Sequence, residues 1–335
     1  MTVALLANPV AGRGRGARLA GPVRAALADA GLDVLVLAGE SGPHSTELAA
    51  EAVAGGVQAV VAVGGDGLVH CAVQALAGTG VPLGIVPAGG GNDLAGTLGL
   101  PADPAAAVAV IAAGRTRTID LGRTLPAVAT STTPGSVAGT GPHGAAGPAA
   151  GTGPTGASGP AGGTQGGVGV AGGRWWGTVL CAGFDSGVAE RAQRIRWPRG
   201  PRRYDVAILA ELSRLRPRTF RLTLDGRTVE LDAALVAVGN GTRYGGGMRI
   251  CPGAELDDGL LDVFVGGVVT RRQLIVLSRQ VRTGRHVGHP SASLFRARDV
   301  TVEAPDLRAY ADGERLGPLP VATRCEPAAL RVFAP

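Results

Sequence analysis

A chain of 335 residues has room for two compact domains. Its apolar content of 45%, with 56 glycines and only 3% aromatic residues, means a core built mainly from Ala, Val and Leu, which leans towards an α/β layer design. All 32 basic residues are arginine and the formal charge is +6, which points to anionic partners such as nucleotide, nucleic acid or membrane; Cys71, Cys181, Cys251 and Cys325 form no CxxC pair, which argues against a zinc site or disulfide framework and for a reducing cytosol.

Met1 to Asn8 passes straight into an apolar strand with no basic leader or cleavage site, and no apolar run approaches the roughly 18 residues of a membrane span, so membrane contact is expected to be peripheral. In the first 120 residues, β-rich apolar runs alternate with helical patterns, the signature of crossover units around a parallel sheet. Thr2 to Ala7 reads as the first strand, Gly12 to Gly16 as a loop, Ala17 to Ala30 as a helix closed by Gly31, and Asp33 to Leu37 as the second strand. A helix from about Ser45 ends at Gly55 and Gly56. Ala59 to Val63 is a buried strand running into Gly64-Gly65-Asp66-Gly67, and Leu68 to Leu76 a helix; Leu83 to Val86 repeats the plan into Gly89 to Gly91. Asp103 and Pro104 open a helix that Gly114 closes, and Thr116 to Leu121 leaves as a strand.

From about Thr124 to Gly173 the chain collapses into Gly, Ala, Pro, Thr and Ser, too poor in large apolar side chains to offset the entropy of ordering, and is expected to be a disordered insertion; irregular glycine spacing argues against collagen. Beyond it the period changes to two. Asp225-Gly226 should join Phe220 to Leu224 and Thr228 to Leu231 in a type I′ hairpin, and two helices, Arg203 to Leu215 and Arg271 to Arg282, interrupt the strands, the latter opened by the capping box Thr270 to Gln273. The expected domains are 1–123, completed by 320–335, then the insertion 124–173, then a mainly antiparallel β domain over 174–319.

Glycine turns between a strand and a helix expose backbone N–H groups, allow close approach and aim a helix N-terminus at an anion. This chain has three: Asn8-Pro9 with Gly12 to Gly16, Gly64 to Gly67, and Gly89 to Asn92. In a parallel sheet all three open at the same strand-end edge. The first loop lacks the dinucleotide fingerprint and Leu37-Ala38 stands where an acidic residue would end the second strand, so a Rossmann site is disfavoured; without any lysine, a P-loop fails as well.

At Asn8-Pro9-Val10-Ala11-Gly12, Val63 to Gly67, Pro87 to Asp93, Ile119 to Gly122, Gly183 to Asp185, Val238 to Gly241 with Tyr244 to Met248, Asp257 to Val263, and Asp312-Gly313-Glu314, the sequence resembles the diacylglycerol kinase catalytic-domain superfamily, which also holds sphingosine and ceramide kinases and bacterial lipid kinases. The resemblance covers nearly the whole chain apart from the insertion. It implies an α/β fold in which an N-terminal doubly wound parallel-sheet nucleotide domain precedes a second, mainly antiparallel β domain that takes lipid. It further implies that Asn8, Pro9, Gly12, Arg13, Gly64, Gly65, Gly67, Gly89, Gly90, Gly91 and Asn92 hold ATP, with Asp66, Asp93 and Asp120 near the phosphates and Mg²⁺, and with Arg13 and Arg15 in place of lysine. Bacterial relatives imply a structural metal on the Asp258 carboxylate and the Glu255 and Leu260 carbonyls. For the catalytic base they point to Asp312, seconded by Glu314, whereas sphingosine kinases point to Asp66.

The implied reaction moves the γ-phosphate of ATP to a lipid hydroxyl, with diacylglycerol to phosphatidic acid first and a sphingoid or ceramide-type alcohol second; an NAD kinase and a nucleotide-binding pseudokinase are the rivals. Gly90 stands in place of a nucleotide-contacting threonine and Cys71 in place of glutamate, while Leu68-Val69-His70 is closer to the sphingosine and ceramide kinase version. The six arginines from Arg191 to Arg203, with Trp197, read either as a solvated helix end or as a patch for an anionic leaflet, which would make the protein cytoplasmic and transiently bound to the inner membrane face. Nucleic acid is not expected as a partner, and a homodimer is a candidate assembly. His286 and His289 read as a loop pair, and Asp185 as a helix cap or a residue near the chemistry.

Overall fold

The computed structural model describes residues 1–8, 15–126, 173–195, 206–207, 210–211 and 216–335. Pro9, Gly12 and Arg13, the bulk of the expected insertion, most of the helix expected over Arg203 to Leu215, and Arg196 to Arg203 of the arginine stretch lie outside the described residues.

The N-terminal half runs β1 (Thr2–Ala7), α1 (Arg15–Asp29), β2 (Asp33–Ala38), α2 (Gly42–Ala54), β3 (Ala59–Gly64), α3 (Asp66–Leu76), β4 (Leu83–Pro87), α4 (Asp93–Thr97), α5 (Pro104–Ala112) and β5 (Thr116–Thr124). Strands β2, β1, β3 and β4 pair in parallel in that order. Both faces are covered, which is why β1, β3 and β4 are near-continuous apolar runs. Leu6, Ala62 and Ile85 pack under α2 and α3, while Leu5, Val61 and Val86 pack with Val23, Leu27 and Ile111 of α1 and α5. Asp103 caps α5 by accepting from the Ala106 N–H at 2.9 Å, and α2, capped by Ser41, starts at Gly42, about three residues earlier than the sequence suggested, because Pro43 is tolerated in the first turn.

The second half contains β6 (Trp175–Trp176), β7 (Val179–Gly183), α6 (Phe184–Arg194), β8 (Arg218–Leu224), β9 (Arg227–Gly239), β10 (Leu261–Gly267), α7 (Arg271–Gln280), β11 (Ala292–Ala297), β12 (Asp299–Glu303), β13 (Arg308–Ala311), β14 (Glu314–Pro318) and β15 (Val321–Phe333). All its internal pairings are antiparallel. The β8–β9 turn has φ of 47° at Asp225 and 84° at Gly226, the left-handed pair that a type I′ turn demands. Thr270 and Gln273 form the expected reciprocal capping box.

Strand β15 joins the halves. Its first residues pair with β12, it lies antiparallel to β5 on both sides of a bulge between Glu326 and Leu330, and its end is parallel to β4, at Val332 opposite Leu83. Trp176 is wholly buried at this junction, its indole N–H donating to Thr323 Oγ1 at 3.0 Å. Thr124 and Arg174 are hydrogen-bonded neighbours, so the chain leaves for the low-complexity stretch and returns from it at one place.

Candidate active site

The ends of β3 and β4 deliver Gly64 to Gly67 and Ala88 to Asn92 side by side at the carboxyl edge of the parallel sheet, where open α/β sheets bind ligands. The two turns are closer than side chains would permit. A Cβ on Gly89 would lie 2.5 Å from the Gly65 Cα, and one on Gly65 2.9 Å from the Gly89 Cα. Gly91 is constrained differently, since its Cβ would meet Asp66 Oδ2 at 2.4 Å. Gly90 has open space around it. Gly16, at the start of α1, sits within reach of the carbonyls of Val63 and Asn8, so these three residues stand at the same edge.

Asp66 is the clasp of the two turns. Its carboxylate accepts from the Asn92 N–H at 2.8 Å and the Asp93 N–H at 2.6 Å, while Asn92, at φ 55°, returns its side chain to both the N–H and the carbonyl of Gly89. Asp93 then crosses to the second half, accepting from Gly246 N–H at 3.1 Å and Gly247 N–H at 2.8 Å. Burial pushes both carboxyls up from 3.8 and outweighs the amide donors; the Asp66 charge adds to this at Asp93, and the Asp312 charge adds to it at both.

Asp312 faces this pair from the tip of the β13–β14 hairpin, where it and Gly313 adopt φ of 51° and 82°. Its carboxylate accepts four hydrogen bonds: Gly177 N–H and Thr178 N–H at 2.8 Å, Thr178 Oγ1 at 2.6 Å, and His70 Nδ1 at 3.4 Å. Burial alone would raise this carboxyl, but the hydrogen bond and charge of His70, with Thr178 and Gly177, hold it below the ordinary value. His70 is itself buried, on α3 one helical turn after Asp66, and its Nε2 has no partner among the described residues. Glu314, two residues beyond Asp312, is exposed, and its Oε1 lies 3.7 Å from where a Gly67 Cβ would be.

Asp66, Asp93, Asp312, Glu314 and both glycine turns therefore stand together where the two halves meet. Asp120 does not offer its carboxylate there: it is buried and accepts from Gly259 N–H at 2.7 Å and Ala328 N–H at 2.8 Å, tying the Asp257 to Leu260 turn to the β15 bulge. The turn expected to hold a structural metal also has other partners. Asp258 Oδ2 is paired with Arg296, its Oδ1 accepts from the Leu260 N–H at 3.0 Å, and Arg296 Nε stands 3.5 Å from Asp262. A guanidinium thus stands at the Asp258 carboxylate, and among the described residues no group of three or more His, Cys, Asp or Glu gathers as a metal site.

Three contributors were given no role by the sequence reading: Thr178, and His70 and Asn240, which stand inside motifs quoted above. Asn240 is wholly buried and donates to the Asp120 carbonyl at 2.8 Å and the Gly177 carbonyl at 3.1 Å. A polar residue ending the apolar run of β9, and a histidine at helical spacing from Asp66, were the available signals. Arg191, the first of the arginine stretch, pairs with Glu211 at 2.6 Å. His286 is buried against the Ile250 carbonyl at 3.0 Å, in a turn rather than a metal site. No helix among the described residues is long and apolar enough to cross a membrane.

Residues 2–124 match the family model described as diacylglycerol kinase catalytic domain, and residues 178–334 the one described as YegS C-terminal NAD kinase beta sandwich-like domain. A diacylglycerol kinase of Mycobacterium tuberculosis is 41% identical over 335 residues, covering 99% of this chain and 95% of that protein. A Stenotrophomonas maltophilia protein named probable lipid kinase YegS-like is 28% identical, covering 85% and 82%. A crystal structure of a diacylglycerol kinase from Bacillus anthracis has the same fold, with a TM-score of 0.66 at 19% identity over 100% of this chain and 97% of that one.

Proposed function

Because the chain belongs to the diacylglycerol kinase family of lipid kinases, we propose that it transfers the γ-phosphate of ATP to the free hydroxyl of diacylglycerol, giving phosphatidic acid. The observation that carries this reading is the convergence of two glycine turns from β3 and β4 with Asp66, Asp93 and Asp312 at the seam between the halves. The phosphates lie against Gly64 to Gly67 and Gly89 to Gly91, where amides and the N-terminus of the 11-residue α3 favour negative charge. Two mutually repelling carboxylates, the half-buried Asp66 and the buried Asp93, suit Mg²⁺ held through water, which when bound with ATP would neutralise phosphate charge. As the lipid oxygen bonds to the γ-phosphorus and the bond to ADP breaks, the hydroxyl proton passes to Glu314. Asp312 is the poorer acceptor, since four donors already occupy it and hold its affinity for a proton low; its part is to fix the hairpin and the Gly177–Thr178 turn.

A second reading, a sphingoid or ceramide-type alcohol as acceptor, is favoured by Leu68-Val69-His70. Radiolabelled ATP presented with diacylglycerol, sphingosine, ceramide and NAD in parallel decides between them. Label in phosphatidic acid is the expected outcome; label in a sphingoid phosphate moves the assignment to the second reading, label in NADP to the NAD kinases, and bound ATP without any transfer to a regulator.

Gly90 offers a quantitative check on the nucleotide contact. Its surroundings are empty and its φ is not in the left-handed region, so Gly90→Thr fits and adds a hydroxyl beside the phosphates. One extra hydrogen bond predicts a KM for ATP lowered by about 2- to 10-fold with little change in kcat.

A further inference from the structure

The sequence directed attention to Arg191–Arg203 as the membrane contact; a different surface, on α7, carries the stronger features. From residue 263 to residue 298 the chain has seven arginines and no Asp or Glu. Within it, α7 has no fully buried residue; Leu274 and Leu277 turn part-way towards the body, leaving Ile275 and Val276 outward, 47% and 55% exposed. Arg272, Ile275, Val276 and Arg279 follow the i, i+3, i+4, i+7 spacing of a single helical stripe, and Arg282 and Arg285 continue the exposed cations beyond the helix end. Val268, just before the helix, and Leu294, on the edge strand β11, are each 54% exposed. Large apolar side chains left in water between arginines, with no acidic residue in the segment, match a bilayer interface better than a protein groove: the chains enter the acyl boundary while the guanidinium groups meet anionic headgroups.

The helix is also coupled to the site. Val281, at its end, packs with Tyr244 and Met248 and accepts from the Arg249 N–H at 2.9 Å, and the same loop supplies the Gly246 and Gly247 amides that hold Asp93.

We propose that the outward face of α7, with Val268, Ile275, Val276, Arg272, Arg279, Arg282 and Arg285, docks the protein on an anionic lipid surface and so brings the site to its substrate; this rests on the lipid-kinase reading above. The test is flotation of the full chain with phosphatidylglycerol vesicles and with phosphatidylcholine vesicles, comparing the parent with Arg272→Gln/Arg279→Gln and Ile275→Ser/Val276→Ser. All four side chains are exposed, so the melting temperatures should match. The parent is expected on anionic vesicles only. At roughly 5-fold per arginine, the first variant should partition about 30-fold less, and the second about 10-fold less. Turnover of diacylglycerol in vesicles should fall in step, while turnover of short-chain diacylglycerol dispersed in detergent stays at the parental rate.

Parental binding by both variants overturns the proposal, as does equal binding of the parent to neutral vesicles, or a parent dimer that both variants dissolve without any vesicle binding. Patch-dependent binding with no lipid phosphorylated would instead leave the surface standing and remove the kinase reading.

Discussion

Replacing Asp312 with alanine should lower phosphoryl transfer at least 100-fold and destabilise the fold by about 3–5 kcal/mol, because a buried charge with four donors leaves each of them unsatisfied. Asparagine should do little better: one oxygen can still serve one pair of donors, but the amide nitrogen then faces the other pair. The pH dependence has a definite sign. The folded-state carboxyl lies below its ordinary value of 3.8, so its contribution is complete above that value and is lost as pH falls through the folded one. Denaturant titrations at pH 7 and in the acid range should therefore show a full gap between parent and variant at pH 7, closing as pH falls below about 3.8.

Asp66→Ala should behave oppositely in stability while being as damaging to activity. It frees the Asn92 and Asp93 amides, releasing the loop that presses Gly89 against Gly65, and kcat/KM for ATP is expected to fall by about 10²–10³. Its carboxyl, however, is raised by burial, with the Asp312 charge adding to the rise. The folded state thus binds this proton more tightly than the unfolded one, and whatever stability the group lends declines as pH rises from 3.8 through its folded value. At pH 7 removal of the charge offsets loss of the two hydrogen bonds, and the variant should unfold within about 1 kcal/mol of the parent. An inactive but stable Asp66 variant beside an inactive and unstable Asp312 variant would separate the functional acid from the architectural one.

What the sequence disclosed were features encoded locally. Apolar runs ending in glycine placed β3 and β4 and the turns that follow them, Asp225-Gly226 demanded its hairpin, and Thr270 to Gln273 announced α7. Partnerships across long separations were not legible. Nothing near residue 312 tells that its carboxylate will meet amides 134 and 135 residues away, or that Asp120 will close a loop at Gly259 instead of facing phosphate. Arg296 pairing with Asp258 is of the same kind, since a family pattern marks the carboxylate but not the cation that arrives from β11. The single turn of α4 was missed because five residues show no period; Asp66 and the left-handed Asn92 stabilise it from outside. The amphipathic character of α7 was readable, but which of its faces stays uncovered depends on how β10 and the turn after the helix pack beneath it.

Amide hydrogen exchange with and without ATP and Mg²⁺ tests the nucleotide cradle most directly. Slowed exchange at 64–68 and 88–94 together, with 271–282 unaffected, is the result expected if two backbone turns clasped by Asp66 grip the phosphates. ATP that binds while both turns exchange at their free rate, with protection elsewhere, would contradict it.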